Sequence, residues 1–168
     1  MPRPLWDASA LAKRYAPEIG SETVEAIFSN VSPAGMVTTF LSYAETFSLL
    51  LRKHNRDDIS LQVFSAAVRS LQAETLSGLG FNLLTITDLD IVRSVEYMRH
   101  YNINASDAAI LAAFLRYSQT RPADVFPCVL VASDQRLLRA AAAEGMATLN
   151  PELELVSPAD VPAFLAAL

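Results

Sequence analysis

Short apolar runs alternate along the chain with longer stretches in which apolar residues return every three to four positions. The first pattern fits a strand buried on both faces, the second an amphipathic or buried helix. Strands are predicted at about 3–7, 35–39 (GMVTT), 81–86 (FNLLTI), 126–133 (FPCVLVAS) and, short, at 146–150 (MATLN). Helices are predicted over roughly 9–16, 20–30, 39–54, 57–76, 88–101, 105–118 and 135–144. Asp57 and Asp58 are placed to open the fourth of these, which stops before Gly78 and Gly80, and Gly145 is placed to end the last. Strands separated by helices imply right-handed βαβ connections and a parallel sheet covered on both faces. In such sheets ligands sit at the carboxyl ends of the strands, near the point where strand order reverses. No repeat, low-complexity segment or long linker divides the sequence, so residues 1–168 read as a single α/β domain.

Composition narrows the class. Of 168 residues, 52% are hydrophobic and 18% charged, which excludes a disordered chain. No apolar run approaches the eighteen or so residues of a membrane span, and MPRPLWDASA lacks the apolar core of a secretion signal. The single cysteine, Cys128, excludes an internal disulfide framework and fits a reducing compartment, so a soluble, cytoplasmic protein is expected. The net charge of −5 argues against binding nucleic acid through a broad cationic surface. It does not exclude a protein that acts on nucleic acid through a carboxylate site, because bound cations return positive charge where phosphate must sit. His54 and His100 lie far apart and have no partnering cysteines, so no zinc spacing is present.

Four carboxylates stand where strands give way to helices. Asp7 ends the first strand and Asp134 follows the fourth, in VLVASD; Glu45 lies just inside the helix after the second, and Asp107 opens the helix of NASDAAILAAF. Each has a purely structural reading. Asp7 and Asp134 are well placed to cap helices. Asp107 favours the positive end of its helix dipole, with Asn104 or Ser106 as the cap. Glu45 is harder to explain this way. The helical wheel gives Phe40, Tyr43, Ala44, Phe47, Leu50 and Leu51 as the main apolar face, and Glu45 sits between Leu41 and Leu49 on a second apolar flank. A lone buried carboxylate is costly unless paired or bound to metal. Ile110, Leu111 and Phe114 surround Asp107 in the same manner.

The conjunction outweighs the members. Carboxylates gathered at one sheet edge repel by roughly 4 kcal/mol per pair at 4 Å and intermediate dielectric, so such a cluster needs cations or protons. Oxygen ligands without Cys or His select hard divalent ions, Mg²⁺ or Mn²⁺. Such a site clamps phosphate oxygens and activates water.

In order and spacing, four pieces resemble the PIN-domain ribonucleases, and within them the VapC-type toxins of bacterial toxin–antitoxin pairs. They are DASALAKRYAPEIGSE, SYAE, NASDAAILAAF and LVASDQRLLRAAAAEGMATLNP, spanning Asp7 to Pro151; the 57–77 helix and the tail after Pro151 carry little of the likeness. The resemblance implies a PIN-like three-layer sandwich around a mostly parallel five-stranded sheet of order 3-2-1-4-5. It implies Asp7, Glu45, Asp107 and Asp134 as catalytic, metal-binding acids, with Mg²⁺ or Mn²⁺ as cofactor and RNA cleaved by metal-activated water. It also implies a homodimer and a small antitoxin whose tail blocks the active-site groove.

Ser9 and Ser133 lie beside two of the acids; they either orient water and phosphate or make local capping bonds. Lys13, Arg14, Arg116, Arg136 and Arg139 are the basic residues nearest the acids in sequence, and one or two of them are candidates for RNA phosphate, Arg136 foremost. Asp88 and Asp90 follow the third strand, which the resemblance sets at the sheet edge, and read as first-turn helix acids. Trp6 and Cys128 read as core. The competing functions are a PIN-type nuclease in RNA processing, a phosphohydrolase of small molecules and a non-catalytic binding module. The phosphohydrolase is disfavoured because Asp7 is followed by Ala8 and Ser9 rather than by a second aspartate two residues on.

Overall fold

Why five short apolar segments make one sheet is visible in their pairing. The computed structural model describes residues 2–77, 80–120, 127–154 and 156–167. Strands β1 (Arg3–Trp6), β2 (Val37–Thr39), β3 (Asn82–Leu84), β4 (Cys128–Val131) and β5 (Ala147–Leu149) form a sheet of order β3-β2-β1-β4-β5. Every pairing is parallel, with Leu5 opposite Val37 on one side and Leu130 on the other. The chain builds outward from β1 through β2 to β3, then returns to place β4 on the other side of β1. The order therefore reverses between β1 and β4, and Asp7 and Asp134 follow those two strands.

Period-two alternation splits the strands' side chains between two cores. Trp6, Val129 and Val131 face one layer, which holds helix α1 (Ala8–Leu11), α2 (Ser21–Asn30), α4 (Leu61–Leu76) and α8 (Val161–Ala167). Leu5, Cys128 and Leu130 face the other, with α6 (Ala105–Gln119) and α7 (Gln135–Ala143) and partly buried side chains of α5 (Asp88–Tyr101). α6 buries nine of its residues, which is why its sequence is apolar nearly all round. Helix α3 (Phe40–Asn55) starts directly at the end of β2, because Thr39 accepts a hydrogen bond from the Ser42 N–H and caps it.

Several element boundaries differ from the sequence expectation, each for a local reason. The helix expected at 9–16 is α1 followed by a 3-10 turn at Ala12–Arg14. Strands β2, β3 and β4 are shorter than the apolar runs that signalled them, and Phe126, assigned to the fourth, lies outside the described residues, as does Gly78. Asp57 does not open α4. It sits at φ 62° just past α3, where the Asp58 N–H reaches Lys53 O and the Asp57 N–H reaches His54 O. That is a Schellman closure of α3, and Ser60 caps α4 instead by accepting from Val63 N–H. The wheel drawn for α3 is also rotated. Phe40 and Phe47 are exposed, whereas Ser42, Thr46 and Leu50 are buried. The small hydroxyl residues satisfy themselves locally, Thr46 on Ser42 O and Ser42 on Thr39, so α3 packs close on a face that hydropathy counts as polar.

The tail after Pro151 is built into the first layer. Val156, Val161 and Leu165 are buried, and Thr23 Oγ1 donates to Glu154 O at 2.5 Å. Gly20, at φ 89°, lies so close to the Pro151 backbone that a Cβ would stand 2.8 Å from its carbonyl carbon and oxygen. Buried Lys13 ties the same corner together through Glu18 (3.0 Å) and Glu152 (2.7 Å).

Candidate active site

Four elements deliver the four acids to one place. Asp7 caps α1, its Oδ2 accepting from Ser9 N (2.9 Å) and Ser9 Oγ (2.5 Å), and only 4% of it is exposed. Asp134 caps α7 through Oδ1, which accepts from Arg136 N and Leu137 N. Asp107 lies in the first turn of α6, where Asn104 is the cap and donates from Nδ2 to Asp107 Oδ2 at 2.8 Å. Glu45 projects from the second turn of α3 toward the same hollow, with Ser106 near enough to favour its ionised form. Capping and clustering therefore coexist: the bonds that cap Asp7 and Asp134 engage one oxygen of each and fix the other's direction.

All four acids line a single hollow of about 210 Å³, with Ser9, Ser48, Arg52, Asn104 and Ser106 among its other walls. Their electrostatics show the strain of that company. Burial, then the charges of Asp7, Asp134 and Glu45, push the Asp107 carboxyl up to about 7. Burial also raises Asp7, against its Ser9 bonds and with help from Asp134. Burial raises Glu45, with the Asp7 charge adding to it and Ser106 and Arg52 opposing. Among the described residues, no three His, Cys, Asp or Glu side chains sit in the tight grouping of ready-made metal ligands. The acids face a shared space without closing on it, as mutual repulsion dictates.

The donor set fits a hard cation. It consists of carboxylates with hydroxyl and amide oxygens nearby and no sulfur or imidazole, and it carries a charge excess that only cations or protons relieve.

Ser9 and Ser133 have different positions. Ser9 Oγ donates to Asp7 and accepts from the Ser133 N–H at 2.9 Å, so it ties the loop after β1 to the loop after β4. Ser133 Oγ does not line the hollow and has no hydrogen-bond partner among the described residues. Most of the expected phosphate-binding cations are engaged elsewhere. Lys13 pairs with Glu18 and Glu152, Arg14 with Glu25 and Glu74, and Arg116 with buried Asp90 at 2.9 Å. Asp90 is thus more than a first-turn acid. It completes a capping box with Thr87, and the Arg116 and Thr87 bonds overcome burial to hold its carboxyl below the usual range. Arg136 remains near enough to Asp107 to favour its ionised form. Arg139 is exposed on α7 and is not part of the hollow. The sequence reading missed Arg52. It stands seven residues from Glu45, two turns along the same face of α3, and that spacing was the available signal.

A parallel α/β protein with an acid-lined hollow beside its strand-order reversal is the class this geometry defines. The PIN domain pattern matches residues 5–143, and the chain belongs to the PIN domain family. No curated protein sequence matches it. Among solved structures, PAE2754 from Pyrobaculum aerophilum is similar at 18% identity, covering 99% of this chain and 97% of that one, with a TM-score of 0.60. VapC20 of Mycobacterium tuberculosis, a sarcin–ricin loop cleaving toxin, is 18% identical over 85% of this chain and 95% of that one, with a TM-score of 0.59. VapBC-1 from nontypeable Haemophilus influenzae is 14% identical over 89% and 98%, with a TM-score of 0.52.

Proposed function

We propose that the whole chain, residues 1–168, is one PIN-like unit that acts as a cytoplasmic, metal-dependent endoribonuclease, the toxin of a toxin–antitoxin pair. One observation carries the reading: four carboxylates from four separate elements converge on one hollow and raise one of their number to about 7. Helix capping alone accounts for Asp7 and Asp134, but not for Glu45, which caps nothing and is half-buried beside them. Asp7, Glu45, Asp107 and Asp134 would hold Mg²⁺ or Mn²⁺. Such an ion, when bound, supplies Lewis-acid charge to phosphate oxygens and acidifies water.

The chain's own residues supply position. Ser9 fixes the Asp7 carboxylate and the approach of the β4 loop, while Asn104 fixes Asp107. Deprotonated, the four acids would hold such an ion, and its charge would offset theirs where a phosphate must sit. Similarity to toxin structures, one of them a VapBC complex, supports an antitoxin partner. On α5, Leu89, Ile91, Val92 and Val95 are each more than half exposed, which supports a second copy of the chain as a partner there. No helix among the described residues is long and apolar enough to cross a membrane.

The test is a Mn²⁺ titration of purified, antitoxin-free protein against a mixed RNA pool, comparing wild type with Asp107→Asn. Metal-dependent cleavage that the substitution abolishes is the expected result. Cleavage that persists unchanged removes Asp107 from the site, and a wild type that neither binds metal nor cuts RNA returns the chain to the class of binding modules.

A further inference from the structure

An acidic chain that binds RNA has few cations to spare, and several of them are already neutralised. Lys13, Arg14, Lys53 and Arg116 each hold a carboxylate within ion-pair distance. Arg52 does not, among the described residues. Its one side-chain hydrogen bond among the described residues runs from Nη1 to Ser48 Oγ, long at 3.3 Å, and the residue is exposed while lining the acid hollow.

Its position is set by helix geometry. Seven residues raise Arg52 about 10 Å along α3 from Glu45, but helical side chains lean back toward the N-terminus. The bond to Ser48 shows that lean, and it brings the guanidinium over the turn next to Glu45. Arg52 lines the hollow from α3, and Arg136 stands at the start of α7 two residues after Asp134, so exposed guanidiniums lie on both elements that carry these acids. A strand whose scissile phosphate lies over the acids runs its neighbouring phosphates toward those elements.

We propose that Arg52 contacts the RNA backbone, holding a phosphate that flanks the one lying over the carboxylates. The proposal rests on the nuclease reading above. It gives the substrate a track from α3 across the acids to α7. A planar guanidinium suits bidentate contact with phosphate oxygens, and an arginine held by one weak bond exchanges it at little cost.

The competing role for Arg52 is structural: it holds the Glu45 carboxylate in the position a cation needs. The two roles have opposite consequences for cation binding. Removing a positive charge beside the acids leaves Mn²⁺ affinity unchanged or tighter if Arg52 serves RNA, and disturbs it if Arg52 organises Glu45. The experiment therefore measures both. Labelled single-stranded RNA is titrated by anisotropy with Asp107→Asn protein, with and without Arg52→Gln, at several salt concentrations. Arg52→Gln should weaken binding about tenfold and lower the slope of log K against log salt by about 0.7. Arg52→Lys should keep the slope while recovering part of the affinity. In the otherwise wild-type chain, Arg52→Gln should raise KM with kcat little changed and Mn²⁺ affinity undiminished. RNA cut and bound equally well with and without Arg52, or Mn²⁺ affinity falling in step with RNA affinity, overturns this proposal alone. A wild type that neither binds nor cuts RNA overturns it together with the nuclease reading.

Discussion

Asp107→Asn should stabilise the metal-free protein while abolishing its activity. The raised carboxyl of Asp107 means that its charged form is less welcome in the fold than in the unfolded chain. The shift from 3.8 to about 7 corresponds, taken at face value, to about 4 kcal/mol. Asp107 is only half-buried, so solvent screening reduces this to about 1–2 kcal/mol. The sign follows from proton linkage. Below 3.8 both states are protonated and there is no penalty. Between 3.8 and about 7 the folded protein holds a proton that the unfolded chain has released, so wild-type stability falls as pH rises through that interval, and levels off above it. An asparagine does not titrate and still accepts the Asn104 hydrogen bond. The gain should therefore be greatest near pH 8, about 3–6 °C in Tm for a chain of this size, and should shrink to little by about pH 4. Differential scanning calorimetry in EDTA across that range measures it. Saturating Mn²⁺ should reverse the order, because a cation that binds the fold adds about 2.7 kcal/mol at a hundredfold excess over Kd, and the variant has lost a ligand. A variant no more stable than wild type at pH 8, or a gap that does not close with acid, would refute the claim that these acids are electrostatically strained.

Three further outcomes follow from other parts of the fold. Gly20→Ala should cost roughly 1–3 kcal/mol in urea unfolding, since a Cβ at φ 89° meets the Pro151 backbone at 2.8 Å; an unchanged midpoint would show that this corner yields freely. Arg116→Ala should cost about 3 kcal/mol at neutral pH by leaving buried Asp90 unpaired, and because Asp90 is held below its usual range the wild type's advantage is present at neutral pH and is lost as pH falls through the acidic range where Asp90 protonates. Val92→Asp on the exposed stripe of α5 should give a monomer by sedimentation if that face joins two copies, and an unchanged sedimentation coefficient would place the partner elsewhere.

The parallel pairing of the sheet was legible because each strand is a short apolar run and each connection carries a helix. That alternation leaves few ways to build a buried sheet. The likeness of four short pieces supplied the order itself. Asp7, Asp134 and Asp107 could be placed at strand ends or helix starts from chain order alone, since capping residues mark those junctions. Glu45 was noticed because leucines flank it, although α3 turned out to bury Ser42 and Thr46 rather than Phe40 and Phe47. Hydropathy misjudged that face because serine and threonine hydroxyls can be satisfied on their own helix.

What sequence by itself determined was the one-dimensional part: which segments are strand or helix, and which acids lie just past a strand. Only the tertiary structure decided which charges neutralise one another. Arg14 and Glu74 are sixty residues apart, Arg116 and Asp90 twenty-six, and no spacing announces either pair. Once those pairs are made, Arg52 stands at the acid hollow without one among the described residues, and Ser9 is seen to bind the loop of Asp134, 124 residues from its partner Ser133. Charge pairing is decided by distances across the fold. Periodicity along the chain carries no information about those distances, and the site is assembled from them.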